Sequence, residues 1–534
     1  MRFSFLTALL PTVVAAVLWL AGCPAIAGPS GSGQEPISNA ALIPKVLPDS
    51  EVGMEGMSPD WVKTLIMAEL RIETATPEGT FASAVKVLDH YAEMGVNGLW
   101  ICPVQERGSR KNGYGNFGPA TLEPRLTAGA DFHESCKVVR RFVEEAHRRN
   151  IRVIFDIVVW GTRKDAPLVT THPEFYKRLP DGKFWEVWGG YGFDWSHAGF
   201  RSWYRDAAVN FIMETGADGC RVDLAPDTSG YFFKEVREAV YAKGRKIILM
   251  AEMPAGREDT FDFEQNGVTG WTEEPDYAHP DRLKQQHERF GKHSDALLRS
   301  NLVEMIRTGA GIGQATVQQQ GRGGAFRFYT QNLLNHDDGE PFVLGSRVRF
   351  GYTAVFAPLI PLWWIGEEWN NPKTLIPEAE GGVMFFNFID WAAKEQPGNR
   401  EFFEDVKKYL RIRRSHPDIF ERFPDETRQA NLTAVDSTRN GVPNPLQAYA
   451  RYAGQKAVLV VPNYEGPAGE SGFEIRVPLE KLKFPATAGK LRATDLLTGE
   501  RLLEIAIAAA SVPKPALTTK IRNDHLAVIL VETE

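Results

Sequence analysis

The chain has 534 residues, 43% hydrophobic and 24% charged, with 61 basic against 68 acidic side chains and a net charge of −7. That length holds several domains or one large barrel with a smaller companion, and the apolar fraction excludes a disordered polymer. The acidic balance lacks the basic footprint that phosphate contacts require, so nucleic acid is excluded as a partner.

Residues 1–23 (MRFSFLTALLPTVVAAVLWLAGC) carry one cation, a long apolar run and small residues, the pattern of a secretory signal. Two cleavage readings compete. Leu20-Ala21-Gly22-Cys23 is similar to a bacterial lipobox, which would lipidate Cys23, and Ala25-Ile26-Ala27 fits an ordinary A-x-A site. Either implies export, to the bacterial cell envelope as a lipoprotein or as a periplasmic or secreted protein. Residues 24–55 read as a tether. Beyond the signal no window holds the 18 or more apolar residues of a membrane span, so membrane contact is expected only through the N-terminal lipid. Cys102, Cys136 and Cys220 show no paired spacing, which indicates neither a disulfide framework nor a zinc site.

From about residue 65 apolar strands alternate with helical periodicity. Phe81, Ala84, Val85, Leu88 and Tyr91 recur at helical spacing between Thr80, a candidate N-cap, and Gly95. A buried strand follows at 97–102 (NGLWIC). A second helix is marked by Phe132, Cys136, Val139, Val143 and Ala146, and further strands fall at 151–159, 218–223 and 246–252. Candidates continue near Phe261, at 326–335 and at 361–366. Apolar strands without alternation, joined by helices, predict a covered parallel sheet, and about eight units favour a (β/α)8 TIM barrel over an open sheet. The barrel is expected over 56–424, with a short insertion at about 161–198. Short strands broken by Gly, Pro and Asn then predict a C-terminal antiparallel β-sandwich over 425–534.

At the C-terminal ends of barrel strands, side chains face the site. Asp223, Glu252 and Asp337 each close one such strand. Arg221 and Asp223 are two apart and share a face, so the guanidinium is expected to hold Asp223 ionised. Glu252 ends an apolar strand, where desolvation would keep it protonated as a general acid. One ionised and one protonated carboxyl roughly 5–5.5 Å apart is what retaining glycoside hydrolysis requires.

These residues carry a resemblance to the α-amylase family (glycoside hydrolase family 13), from about Trp61 to the C-terminus. Gly219-Cys-Arg-Val-Asp223 resembles its second conserved region, Ala251-Glu252 the third and Asn335-His336-Asp337 the fourth. Asp156-Ile-Val-Val159 resembles the first, Gly113-Tyr114 a motif whose ring stacks under the sugar, and Gly366-Glu367-Glu368 the eighth-strand signature. The resemblance implies Asp223 as nucleophile, Glu252 as acid/base and Asp337 as transition-state stabiliser, with Tyr114, Arg221 and His336 at the sugar.

The departures are specific. The first region normally ends Asn-His, and here Trp160 and Gly161 stand there. The resemblance therefore leaves the usual calcium site disrupted, implies no required cofactor and designates no metal ligand. The Lys-His that often follows the nucleophile region is replaced by Pro226-Asp227, which argues against an ordinary endo-acting α-amylase. Between Trp160 and Trp195, nine of 36 residues are aromatic, against 11% for the whole chain. Two readings stand open: a sugar-stacking platform that includes Trp160, or a satellite core holding the loop. The expected function is retaining hydrolysis of α-linked glucans or α-glucosides. Transglycosylation of the same oligo- or polysaccharides, or carbohydrate binding without catalysis, are the alternatives. Oligomeric state is not legible.

Overall fold

The computed structural model describes residues 58–108, 113–129, 131–223, 232–252, 261–264, 303, 328–332, 336, 346–371, 388–420, 431–464, 469–479, 489–506 and 515–533. The expected export segment with Cys23, the expected tether and the expected boundary near 425 lie outside these residues.

The barrel starts with β1 (Met67–Leu70), β2 (Gly98–Ile101) and β3 (Arg152–Ile157). An insertion then contributes β4 (Gly161–Arg163), β5 (Glu186–Val187) and β6 (Gly190–Gly192). The barrel resumes with β7 (Gly219–Val222), β8 (Ile248–Ala251), β9 (Phe263–Glu264), β10 (Phe328–Asn332) and β11 (Ile360–Trp364). Every barrel pairing is parallel, and β11 closes the ring onto β1 with Leu362 opposite Met67. The predicted barrel is the observed one.

Local sequence explains the helices between strands. Thr80 caps the helix Phe81–Met94 by accepting from the Ser83 N–H at 3.2 Å, while Ser83 Oγ accepts from the Thr80 N–H at 3.2 Å. Gly95 ends that helix at φ 84°, a left-handed stop that suits glycine. Asp131 caps Phe132–Arg148 in the same way, accepting from the Glu134 N–H at 2.9 Å. Among the described residues, no helix is long and apolar enough to cross a membrane.

Inside the ring, alternate residues point inward. Met67, Trp100, Ile154, Ile248, Met250, Phe263, Ile360 and Leu362 form an apolar plug, closed by Trp61, Val62 and Leu65. Outside it, a larger apolar layer binds strands to helices. The C-terminal strands form a six-stranded and a four-stranded antiparallel sheet. Strand Lys456–Asn463 shows how they are used. Val458 and Val460 join the barrel's outer core, while Leu459 and Val461 join the core between the two sheets. Period-two alternation thus lets one strand serve two cores, and this region is the predicted β-sandwich.

Candidate active site

The inward parity that builds the plug also delivers charge. Two residues beyond Met67 comes Glu69, two beyond Ile154 comes Asp156, and two beyond Met250 comes Glu252. Arg221 stands beside Asp156 in the β3–β7 register, and Asp223 follows it by two. A charged layer therefore sits directly on an apolar one at the C-terminal rim. The backbone remains in the ladder there: the Asp223 N–H donates to Ile157 O at 2.9 Å, and the Glu252 N–H to Val222 O at 3.2 Å.

Arg221 is fully buried and organises this layer. Its Nη1 donates to Asp223 Oδ1 at 2.8 Å and to both Asp156 oxygens at 3.1 Å. Its Nη2 lies 3.0 Å from Glu252 Oε1. The guanidinium also stacks over Trp100, 5.0 Å from the ring centre, a contact that favours the charged form. Burial opposes the charge on Arg221, but the surrounding acids outweigh it and hold the group protonated well above its usual range.

The carboxyls behave differently. Burial pushes Asp223 well above its ordinary value of 3.8, and the adjacent Glu252 adds to the rise, against the opposing pull of Arg221. Burial raises Asp156 as well, despite Arg221 and His336. Arg221 pulls Asp223 toward its ionised form, as the sequence leads one to expect, but the guanidinium is shared among three carboxyls and the net direction, set by burial and Glu252, is upward. Glu252 does not sit in a purely apolar pocket either. Its side chain is 17% exposed and it meets a guanidinium.

Tyr114 and His336 complete the floor. The Tyr114 hydroxyl donates to Asp156 Oδ2 at 2.7 Å, and its ring stacks on His336 with centres 4.6 Å apart. His336 Nδ1 is 2.6 Å from Glu69 Oε1, with both residues fully buried. Asp337 lies outside the described residues. The structure therefore brings together Asp223, Glu252, Arg221, Tyr114 and His336. Sequence reasoning missed Glu69, although a lone acid at inward parity on an apolar strand was a usable signal. It assigned no role to Asp156, which ties Arg221 to Tyr114. Glu368, from the eighth-strand signature, is instead structural. It meets His90 at 2.8 Å and accepts from the Gly366 N–H at 2.8 Å.

Glu69, Cys102 and His336 place one donor atom each within 4.8 Å of one another. The Glu69–His336 hydrogen bond and a 3.4 Å contact from Cys102 Sγ to Glu69 Oε1 already engage those atoms. Burial and the Glu69 charge push the Cys102 thiol far above its ordinary range. At the two divergent positions the side chains offer no oxygen to calcium. Trp160 Nε1 is a donor, spent on Tyr114 O at 2.9 Å, and Gly161 has no side chain. Nor could it carry one: Gly161 pairs with Gly192, and a Cβ there would fall 2.0 Å from Tyr191 O. The insertion sheet occupies the space a histidine would need.

Most of the aromatic insertion is core. Trp160, Phe175, Tyr176 and Phe193 are buried, and Phe184, Tyr191 and Trp195 pack half-buried against the barrel's outer layer. Rings tile through Phe175–Phe200 at 5.5 Å, Phe193–Phe200 at 4.5 Å and Trp195–Phe232 at 4.9 Å. Trp160 itself packs with Tyr114 and Val158. Trp188, in contrast, is 58% exposed.

Comparison with known proteins points to the same fold. No protein-family model matches the chain. The malto-oligosyltrehalose trehalohydrolase of Deinococcus radiodurans is 24% identical over 432 residues, 67% of each chain. The chloroplastic isoamylase SU1 of Zea mays is 29% identical over 168 residues, 28% of this chain and 21% of that one. In fold, a noncanonic maltogenic α-amylase from Thermotoga neapolitana matches 88% of this chain and 99% of its own, with TM-score 0.61 at 16% identity. The chain is similar to α-amylase-family enzymes in sequence and shares their fold.

Proposed function

We propose that this chain is a retaining glycoside hydrolase acting on α-linked glucans or α-glucosides. The observation that carries the reading is Arg221, whose two terminal nitrogens hold Asp223 and Glu252 at the ends of adjacent strands. Sharing one guanidinium keeps the carboxyls close, as the roughly 5–5.5 Å of a retaining pair demands. Asp223 attacks the anomeric carbon while Glu252 protonates the leaving oxygen. Glu252 then takes a proton from water, which attacks the same carbon and frees Asp223. Attack requires an ionised Asp223, and the Arg221 charge stabilises that form as substrate arrives. Tyr114, held by Asp156, and His336, fixed by Glu69, stack on each other as the floor beneath this pair. Asp337 is the third acid of the proposal, gripping hydroxyls of the same sugar. The N-terminal leader supports an exported enzyme, with Cys23 as lipid acceptor where the lipobox is used.

A panel of α-glucans and α-glucosides, followed by NMR of the product, tests the reading. The expected result is release of the α-anomer first, abolished in Asp223→Asn. A larger glycoside product would instead reveal transfer. If no substrate turns over and Asp223→Asn binds sugars as the parent does, the enzyme reading falls.

A further inference from the structure

We propose that Glu69 is a positioning residue of the active site: it selects one orientation of the His336 ring and, through that ring, seats Tyr114 and Trp100 beneath Arg221. The proposal rests on the glycoside hydrolase reading above and adds to it an acid that acts only through its neighbours. Glu69 stands on the inner face of β1, in register with Trp100 of β2, and is fully buried. Packing does not explain it. A buried carboxylate offsets its desolvation only when its oxygens are well satisfied, and among the described residues Oε2 has no hydrogen-bond partner. The other oxygen carries the whole interaction: Oε1 is 2.6 Å from His336 Nδ1 and accepts from Cys102 Sγ at 3.4 Å. An apolar residue would suit this place above the plug better, so the acid is there for the histidine.

The neighbours of Nδ1 fix where the imidazole carries a proton. Glu69 as a carboxylate can only accept, and the Tyr114 hydroxyl, 3.3 Å away, gives its own proton to Asp156 Oδ2 at 2.7 Å. Nδ1 therefore donates to Glu69. An imidazole turned by 180° keeps nearly the same shape but presents a carbon where that nitrogen stood. Shape alone leaves the ring two orientations, and the Glu69 acceptor selects one. The selection matters because of what the ring touches. It stacks on Tyr114 with centres 4.6 Å apart and meets Trp100 edge-on at 5.5 Å. The Arg221 guanidinium lies over these same two rings, 5.0 Å from Trp100 and 5.7 Å from Tyr114. Trp100 Nε1 also donates to Asp156 Oδ2, at 3.2 Å. Glu69 thus reaches the group that holds Asp223 and Glu252 through His336 and one further ring.

The test compares Glu69→Met and Glu69→Gln with the parent chain, reading kcat and KM on the best substrate of the α-glucan and α-glucoside panel together with the melting temperature. Methionine is unbranched like glutamate and removes both the buried charge and the acceptor. Its melting temperature should hold or rise while kcat/KM falls about 10- to 100-fold, the scale of a small misplacement in an active site. Glutamine returns an acceptor to the Oε1 position and should bring kcat/KM back to within about threefold of the parent. Undiminished kcat/KM in Glu69→Met overturns the proposal and leaves the hydrolase reading intact. So does a Glu69→Met that melts earlier or does not fold, which would make Glu69 a packing residue. A stable Glu69→Gln as slow as Glu69→Met also overturns it, because an acceptor alone would then not suffice. A parent chain that turns over nothing in the panel overturns both readings.

Discussion

The rim of the barrel and the insertion above it bury their side chains by opposite means. At the rim, three carboxyls, Asp156, Asp223 and Glu252, meet around the Arg221 guanidinium, and two of them are pushed toward their neutral forms. In the insertion, rings pack on rings while cations such as Arg178 and Lys177 lie outside over the aromatic faces. The rim is held by interactions that fail together when one partner goes. The insertion is held by area, and its parts fail one at a time. Chemistry should therefore track the first region and stability the second.

The largest expected effect is on turnover. Asp223→Asn should lose hydrolysis while keeping the fold, because an amide still accepts from Arg221. Glu252→Gln should lower kcat by about 10²–10⁴-fold on natural glycosides, and far less on substrates with activated leaving groups that need no proton. Steady-state kinetics on both substrate types checks this; equal losses on the two would remove Glu252 from the acid role.

In the insertion the ordering reverses. Phe193→Ala removes a fully packed ring and should cost about 3–5 kcal/mol of stability, read by denaturant titration, with kcat per folded molecule retained. A stable variant with collapsed kcat would break the division between the two regions.

A smaller effect concerns pH. Since burial and acidic neighbours raise Asp223, the acid limb of kcat/KM should lie above the ordinary 3.8. Asp156 is one of those neighbours, so Asp156→Asn should move the limb downward. A limb that stays or rises would contradict the shared-guanidinium account.

The smallest is structural. Burial alone would raise Asp218, but His147 at 2.7 Å, Arg152 at 3.1 Å and the Val153 N–H at 2.8 Å hold it below its ordinary 3.8. A depressed carboxylate stabilises the fold above that value and loses the benefit as pH falls through its native pKa. Asp218→Asn should lower stability by roughly 1–3 kcal/mol at neutral pH and shrink the difference in acid. Melting curves between pH 3 and 7 show whether it does.

How much was legible in the sequence follows the same division. Strand ends, caps at Thr80 and Gly95, and the rim acids Asp223 and Glu252 were readable, because period and punctuation are local. Glu69 was overlooked, since its significance comes from facing His336 across 267 positions of sequence. The upward pull on Asp223 was not legible for a related reason: Arg221 was visible two residues away, but Asp156 and Glu252 sharing it were brought in by the barrel. The insertion's aromatics could not be sorted by composition, as a sugar platform and a satellite core call for the same residue types. Only burial separates Phe175 and Phe193 from Trp188.

The central claim is that Asp223 forms a covalent link to the sugar. Mass spectrometry of the protein treated with a fluorinated α-glucosyl fluoride, which slows release of such an intermediate, tests it most directly. The account predicts one hexosyl adduct on the peptide containing Asp223. Turnover of α-glucan with no adduct, or with the adduct on another residue, would contradict it.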